Sequence, residues 1–201
     1  MGDRLRHLHA LQAALMATGV QLNAWVLMDN HVHLLATPAA TGDIGRFMQR
    51  LGRQPVCLFN ARHRRTGTLR EGRYKACPVD IERYVLTSQH DVELDPVRAR
   101  ITDDAAAWRR SSCAAHLGQR NGSMRMPHPA WLALDADPLR RARRWRDKRD
   151  EAAPDEDLTS ILEYLQPQRA WGRNDVRARV DARTGRSSGV RPAHRPSRAD
   201  R

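Results

Sequence analysis

Two apolar runs joined by a two-residue turn constrain the fold of this chain more than any other feature. The first run extends from Leu22 to Met28, the pair Asp29-Asn30 follows, and the second run extends from His31 to Pro38. Short apolar runs separated by two turn-forming residues predict a β-hairpin. We therefore expect two antiparallel strands in the first quarter of the chain.

Helical patterns flank this hairpin. Leucines recur at intervals of three and four residues between Asp3, which can cap a helix, and Gly19, which can end one. A second helix is expected from Asp43 to Asn60, with a kink or break at Pro55. Proline removes a backbone donor and costs about 3 kcal/mol inside a regular helix.

The segment after the second helix predicts one more strand and one more helix. We expect a short strand near Tyr74 to Val79 and a third helix from Asp80 to about Leu94. A new helix is then expected to begin at Asp95-Pro96, since proline suits the first turn of a helix. Helices and strands that alternate around a hairpin indicate an α+β sandwich.

The composition changes after about Ile101. We expect one domain over residues 1–115, a helical extension over 116–182 and a disordered basic tail over 183–201. Three segments of the later part have helical patterns: Pro138 to Arg149, Asp157 to Leu165 and Asn174 to Arg183.

Charge and cysteine content indicate the kind of partner and compartment. The chain has 35 basic and 23 acidic side chains and a net charge of +12, which favours contact with phosphate backbones. No apolar run approaches the roughly 18 residues of a membrane span, and the start, MGDRLRHLHA, has no apolar signal core. Three cysteines without a paired pattern, Cys57, Cys77 and Cys113, fit a reducing, cytoplasmic setting.

His31 and His33 are the residues that indicate a metal-binding site. Residues i and i+2 of a strand project to the same face, so both imidazoles would lie together while Val32 and Leu34 point the other way. Two adjacent imidazoles can chelate a divalent cation if a third ligand arrives from elsewhere. The alternative is two unrelated polar positions on a half-exposed strand.

Three segments extend this pattern, namely AWVLMDNHVHLLATP, FNARHRRTGTLREGRYKA and ERYVLTSQHDVELDPVRARI. In this order and spacing they resemble the His-hydrophobic-His (HUH) tyrosine transposases, in particular the REP-associated kind. The resemblance implies a ferredoxin-like fold with an antiparallel sheet and a substrate of single-stranded hairpin DNA. It also implies a first strand before the helix that opens this chain, beside the strand of the two histidines. Without that strand, one edge of the histidine strand would expose unpaired backbone groups.

The resemblance assigns roles to individual residues. His31 and His33 would hold Mg²⁺ or Mn²⁺ against the scissile phosphate, and Asp95 occupies the place of a further polar ligand. A carboxylate there can bind a hard cation, although Asp95 can also be read as a helix N-cap before Pro96. The place of the nucleophilic tyrosine is taken by Asp91, which cannot form a stable phosphotyrosine bond. Tyr84 is the nearest substitute, two helical turns earlier, although packing is its alternative role.

A basic loop completes the expected site. Its arginines are expected to contact DNA phosphates, which position a strand without reading its sequence; they are Arg62, Arg64, Arg65, Arg70 and Arg73. The alternative is a solvated charge cluster.

Three functions remain open from the sequence. The first is a transposase by descent with impaired strand transfer. The second is a catalytically silent, regulatory protein that binds hairpin DNA. The third is a metal-dependent nuclease in which water attacks and Asp91 acts as a base or an additional ligand.

Overall fold

The computed structural model describes residues 2–64, 66–67, 73–80, 84–122, 124–151, 161, 163–165 and 168–185. Helices predominate, and the described strands are two. In chain order the elements are α1 (Asp3–Thr18), β1 (Gln21–Leu27), β2 (Val32–Thr37), α2 (Asp43–His63), α3 (Tyr84–Arg98), a 3-10 turn (Ala105–Ala107), α4 (Cys113–His116), α5 (Pro129–Leu132), α6 (Pro138–Asp150) and α7 (Asn174–Thr184). None of the helices among these residues has the length and apolar character needed to cross a membrane.

The chain forms two compact units. The first consists of Met1–Tyr74 and Gln89–Glu151, and the second of Lys75–Ser88 and Ala152–Arg201. The hairpin and most of the helices belong to the first unit.

Strands β1 and β2 form the predicted antiparallel hairpin. Val26 pairs with His33 and Leu27 with Val32, and the register shifts around Asn23. The Asn23 side chain occupies this irregularity: its amide donates to the carbonyl of Met126 at 3.0 Å and its oxygen accepts from the Thr37 hydroxyl at 2.7 Å. The sequence therefore predicted the hairpin correctly.

The two edges of the hairpin differ. The segment around Ser111 runs along β1, where the Leu27 amide donates to the Arg110 carbonyl at 2.8 Å and the Ser112 amide donates to the Trp25 carbonyl at 2.9 Å. Strand β2 pairs only with β1 among the described residues, and each of its residues is half-exposed. The outer edge of β2 therefore has no strand partner in this part of the chain.

Helices cover both faces of the hairpin. Trp25 and Leu27 of β1 pack in one core with residues of α1 and α2, including Leu11 and Phe47. A second core lies on the other face of the hairpin, against α3 and Leu35 of β2. It contains Ala24 and Val26 of β1, Met28 directly after β1, and Val92 of α3. The period-two pattern of the hairpin thus separates a helix pair on one face from α3 on the other.

Helix α1 has the predicted span, and Gly19 ends it in the left-handed conformation (φ 67°) that favours glycine. The predicted cap was wrong. Gly2 is the N-cap residue, and the Asp3 carboxylate contacts the side chains of Arg62 and His63 at the end of α2, at 3.1 and 3.2 Å. Helix α1 is therefore anchored to α2 at the place where a cap was expected.

Two predicted interruptions do not occur. A kink or a break was predicted at Pro55. Helix α2 is continuous from Asp43 to His63, so it does not break there. Helix α3 likewise continues through Asp95 and Pro96 to Arg98, and Asp95 is therefore not an N-cap residue. Pro96 is fully buried, so packing offsets the backbone hydrogen bond that proline removes.

The predicted strand at Tyr74–Val79 was also wrong. Its residues form no strand, and Val79 makes an isolated bridge with Trp171. Helices α6 and α7 match their predicted positions within two residues at either end. Most of the helix predicted from Asp157 to Leu165 lies outside the described residues, as does the basic tail from residue 186 onwards.

The second unit is organised around Trp171. Its indole packs against the Tyr84 ring at 4.4 Å between centroids, and its carbonyl accepts from the Asp80 amide at 3.0 Å. The buried Asp80 carboxylate accepts from the Arg173 guanidinium at 3.2 Å. Gly172 lies directly against Asp80, since a Cβ at residue 172 would lie 2.6 Å from the Cβ of Asp80.

Candidate metal centre

The hairpin and α3 bring together the three predicted metal ligands. His31 lies directly before β2, His33 lies within it, and Asp95 lies on α3. One ligand atom from each of the three lies within 4.8 Å of the other two. The rings of His31 and His33 are 4.7 Å apart between centroids, so both imidazoles project to one side as the i, i+2 spacing predicted.

The Asp95 carboxylate faces both imidazoles. Its Oδ2 lies 2.9 Å from Nε2 of His31 and 3.6 Å from Nδ1 of His33. Octahedral ligands at about 2.1 Å from Mg²⁺ lie about 3 Å from one another. The three donor atoms are therefore close to the spacing that a small divalent cation requires.

The turn residue Asn30 orients the His31 ring. Its side-chain oxygen lies 2.7 Å from Nδ1 of His31. When Nδ1–H donates to this oxygen, Nε2 presents its lone pair toward Asp95. Two acceptors 2.9 Å apart need a cation or a proton between them. The arrangement thus suits an imidazole–carboxylate cation site.

Burial favours the neutral form of His33. It lowers the pKa of His33, against the opposing effect of the nearby Asp95 carboxylate. Neutral imidazole is the form that binds metals. His33 is therefore available as a ligand at neutral pH.

Two imidazoles and one carboxylate leave further coordination positions open to water and substrate. The carboxylate suits hard cations such as Mg²⁺ and Mn²⁺, whereas imidazoles also bind other transition metals, so the set fits a divalent cation without selecting one. The chain's own residues therefore fit the metal that the resemblance implies.

Asp91 lies one helical turn before Asp95 and on the same face of α3. Its Oδ1 is 2.7 Å from the Arg98 guanidinium. Burial raises the pKa of the Asp91 carboxyl, while Arg98 and His33 act in the opposite sense. An acidic group therefore stands beside the candidate ligands, where the resemblance would place a tyrosine.

Tyr84 belongs to the second unit, where its ring packs against Trp171. This contact supports the packing role that was the alternative to a nucleophile.

The basic loop is only partly described. Arg62 lies at the end of α2 and pairs with Asp3, whereas Arg64 and Arg73 are exposed. Arg65 and Arg70 lie outside the described residues. The phosphate-binding role of this loop stays a prediction.

Two residues of the site, Asn30 and Arg98, were not predicted from the sequence. Asn30 was predicted only as a turn residue, although its position next to His31 could have indicated a contact with the imidazole. Arg98 follows Asp91 by seven residues, which is two helical turns, and its i, i+7 spacing could have indicated the pair.

Comparisons with known proteins add no assignment to this site. No protein-family model matches the chain, and no curated protein or solved structure matches it either.

Proposed function

We propose that this chain is a metal-dependent, DNA-binding protein of the HUH transposase type. Its substrate would be single-stranded hairpin DNA, and covalent strand transfer would be impaired because Asp91 stands in the place of the nucleophile. The observation that carries the proposal is the convergence of His31, His33 and Asp95 on one point. These are the three residues that the resemblance names as ligands, although Asp95 lies more than 60 residues after the two histidines in sequence.

The order of elements gives the proposal further support. The ferredoxin-like order is β-α-β-β-α-β, and α1-β1-β2-α2 has the order of its inner four elements. Helices α1 and α2 pack on the same face of the hairpin, which such a sandwich requires. We include the ferredoxin-like fold in the proposal on this basis.

The roles of the side chains follow from their chemistry. His31, His33 and Asp95 would hold Mg²⁺ or Mn²⁺, and Asn30 would keep the His31 ring in its ligating orientation. A bound divalent cation supplies polarisation of a phosphoryl oxygen. The Arg98 guanidinium holds the Asp91 carboxylate in place.

Asp91 allows hydrolysis as a second chemical outcome. Its carboxylate lies near His33 and one turn from Asp95, where it can accept a proton from a water molecule that attacks the phosphodiester. The P–O bond to the 3′ or 5′ oxygen would break, and the leaving oxygen would take up a proton from solvent. If Asp91 does not act in this way, the chain is a silent DNA-binding protein.

Metal binding is the first test. We expect Mn²⁺ to bind the purified protein in an electron paramagnetic resonance titration, with affinity at least about tenfold lower in His31→Ala and in Asp95→Ala, because each variant loses one direct ligand. His63→Ala is the matched control, since His63 is an exposed histidine outside this cluster. Equal Mn²⁺ affinity in all four proteins would contradict the site.

Covalent capture is the second test. Labelled single-stranded hairpin DNA is mixed with protein and Mn²⁺ and separated on a denaturing gel. We expect no adduct with the natural chain and an adduct with Asp91→Tyr, which restores a phenol at the nucleophile position. The adduct should disappear in Asp91→Tyr/His31→Ala and should not form with Asp91→Phe.

Other results of the same assay separate the alternatives. Free nicked DNA without an adduct, lost in Asp91→Asn, would identify the hydrolytic function. Binding without nicking would identify the silent one. An adduct of the natural chain that is lost in Tyr84→Phe would show that Tyr84 is the nucleophile, against our assignment.

A further inference from the structure

Helix α6 carries exposed basic side chains that do not take part in its packing. Its 13 residues include seven Lys or Arg side chains and two Asp side chains. Ala142 and Trp145 are buried and form its inner side, while Arg140, Arg143 and Arg146 are exposed. Like charges at i, i+3 and i, i+4 disfavour a helix. The outer charge therefore points to a function other than folding.

This helix is fixed to α3, which carries Asp91 and Asp95. The Trp145 indole N–H donates to the fully buried Glu93 carboxylate at 3.0 Å. The His90 Nε2 lies 3.0 Å from the carbonyl of Arg149. Hydrogen bonds at both positions hold α6 in a defined place relative to the candidate metal centre.

Arg143 and Arg146 form an exposed pair three residues apart on one side of α6. Neither has an acidic partner within 4 Å in the part of the chain that the structure describes, although Asp147 and Asp150 follow them at i+4. Arg140 and Arg144, by contrast, contact the Asp135 carboxylate at 3.8 and 3.3 Å. The Arg143–Arg146 pair is therefore available to an anionic partner.

Nucleic acid fits this surface better than a membrane does. A helix that lies on a membrane inserts its apolar face into the lipid, but the apolar face of α6 is buried inside the protein. Phosphate groups, by contrast, are bound by guanidinium groups with no apolar contact.

The spacing also suits DNA that reaches the metal centre. Asp91 and Asp95 project from one face of α3, and Glu93 projects about 200° away from Asp91 around the helix, toward α6. The Arg143–Arg146 pair lies on the exposed side of α6, so the widths of α3 and α6, about 10–12 Å each, lie between this pair and the metal centre. A duplex strand offers a phosphate about every 3.4 Å along its axis, so a hairpin stem of about seven base pairs or more is long enough to cover two helix widths.

We propose that Arg143 and Arg146 of α6 form a phosphate-binding surface for the hairpin DNA that reaches the metal centre. This inference rests on the proposed function and adds a second point of contact for the same substrate. Its ligand is the phosphodiester backbone, so the surface fixes the position of the hairpin without reading its bases.

Salt dependence of binding provides the test. Each phosphate contact contributes about 0.7 to 0.9 to the slope of log K against log salt concentration. We expect Arg143→Gln/Arg146→Gln to reduce the slope for labelled hairpin DNA by about 1.4 to 1.8, measured by fluorescence anisotropy with chelator present.

A matched control exists on α2. Arg50 and Arg53 are also exposed, three residues apart and without an acidic partner among the described residues. Helix α2, however, packs on the opposite face of the hairpin from α3. Arg50→Gln/Arg53→Gln removes the same charge and should leave the slope at its natural value.

The outcomes separate this inference from the function on which it rests. Hairpin binding with an unchanged slope in the α6 variant, or with equal reductions in both variants, overturns the α6 surface and leaves the proposed function intact. A natural chain that binds Mn²⁺ but no hairpin DNA overturns both. Circular dichroism of each variant confirms that a reduced slope does not reflect unfolding.

Discussion

At the scale of single residues, the Glu93 carboxylate is tightly constrained because it is fully buried and receives three hydrogen bonds. Its donors are the Ser112 hydroxyl at 3.1 Å, the Trp145 indole at 3.0 Å and the Nδ1 of His116, which is itself fully buried. Burial alone would raise the pKa of the Glu93 carboxyl. His116 and the other two donors together lower it by more, so its pKa lies below the usual value. Glu93 is therefore a buried charge that depends on its partners.

Removal of either member of the Glu93–His116 pair should destabilise the fold. We expect Glu93→Leu and His116→Phe each to lower the free energy of unfolding by about 3–5 kcal/mol, because each leaves the other group buried without its partner. The double variant Glu93→Leu/His116→Phe should be clearly more stable than the sum of the single effects predicts. Urea denaturation followed by circular dichroism measures all four proteins, and strict additivity would contradict this coupling.

At the scale of elements, the two strands of the hairpin should differ in backbone protection. Strand β1 lies between β2 and the segment around Ser111, whereas β2 has β1 as its only strand partner among the described residues. Alternate amides of an edge strand point away from its partner. We expect these amides of β2 to exchange with solvent far faster than the central amides of β1, as measured by hydrogen exchange with nuclear magnetic resonance. Uniform protection along β2 would show that another segment covers its edge.

The elements also show which parts of the fold a sequence can predict. The hairpin, α1, α6 and α7 follow local patterns of period two or period 3.6, and all four were predicted. The break at Pro55 and the new helix at Asp95-Pro96 were wrong because local rules about proline ignore tertiary packing, such as the complete burial of Pro96.

The residues of the candidate site also differ in whether the local sequence predicts them. His31 and His33 were predicted together because strand geometry depends only on local sequence. Asp95 required the resemblance, since nothing local links it to a strand more than 60 residues earlier. The Glu93–His116 contact joins residues 23 apart through packing alone, and no pattern in the chain indicated it.

At the scale of the whole molecule, buried histidines should make stability depend on pH. Burial lowers the pKa of His90 and of His128 below the ordinary value of 6.5. Below pH 6.5 these histidines therefore take up protons more readily in the unfolded chain than in the native chain. The free energy of unfolding consequently falls as the pH falls toward their native pKa values. We expect the melting temperature, measured with chelator present, to be lower at pH 5 than at pH 7.5.

His128 allows a specific control for this pH dependence. Its Nδ1 accepts from the Ala130 amide at the start of α5, and protonation of Nδ1 would abolish that hydrogen bond. Asparagine is also a good N-cap residue but does not titrate in this range. His128→Asn should therefore reduce the difference in melting temperature between the two pH values. A melting temperature that is constant, or that rises toward pH 5, would contradict the assignment.

The close approach of Gly172 to Asp80 has a consequence for the natural variation of this chain. A side chain at residue 172 would overlap the first carbon of the Asp80 side chain, which is buried and bonded to Arg173 and so has little freedom to move away. Substitutions at residue 172 should therefore depend on the residue at position 80. Homologues that keep aspartate at residue 80 should keep glycine at 172, and a larger residue at 172 should occur only where both positions have changed during evolution.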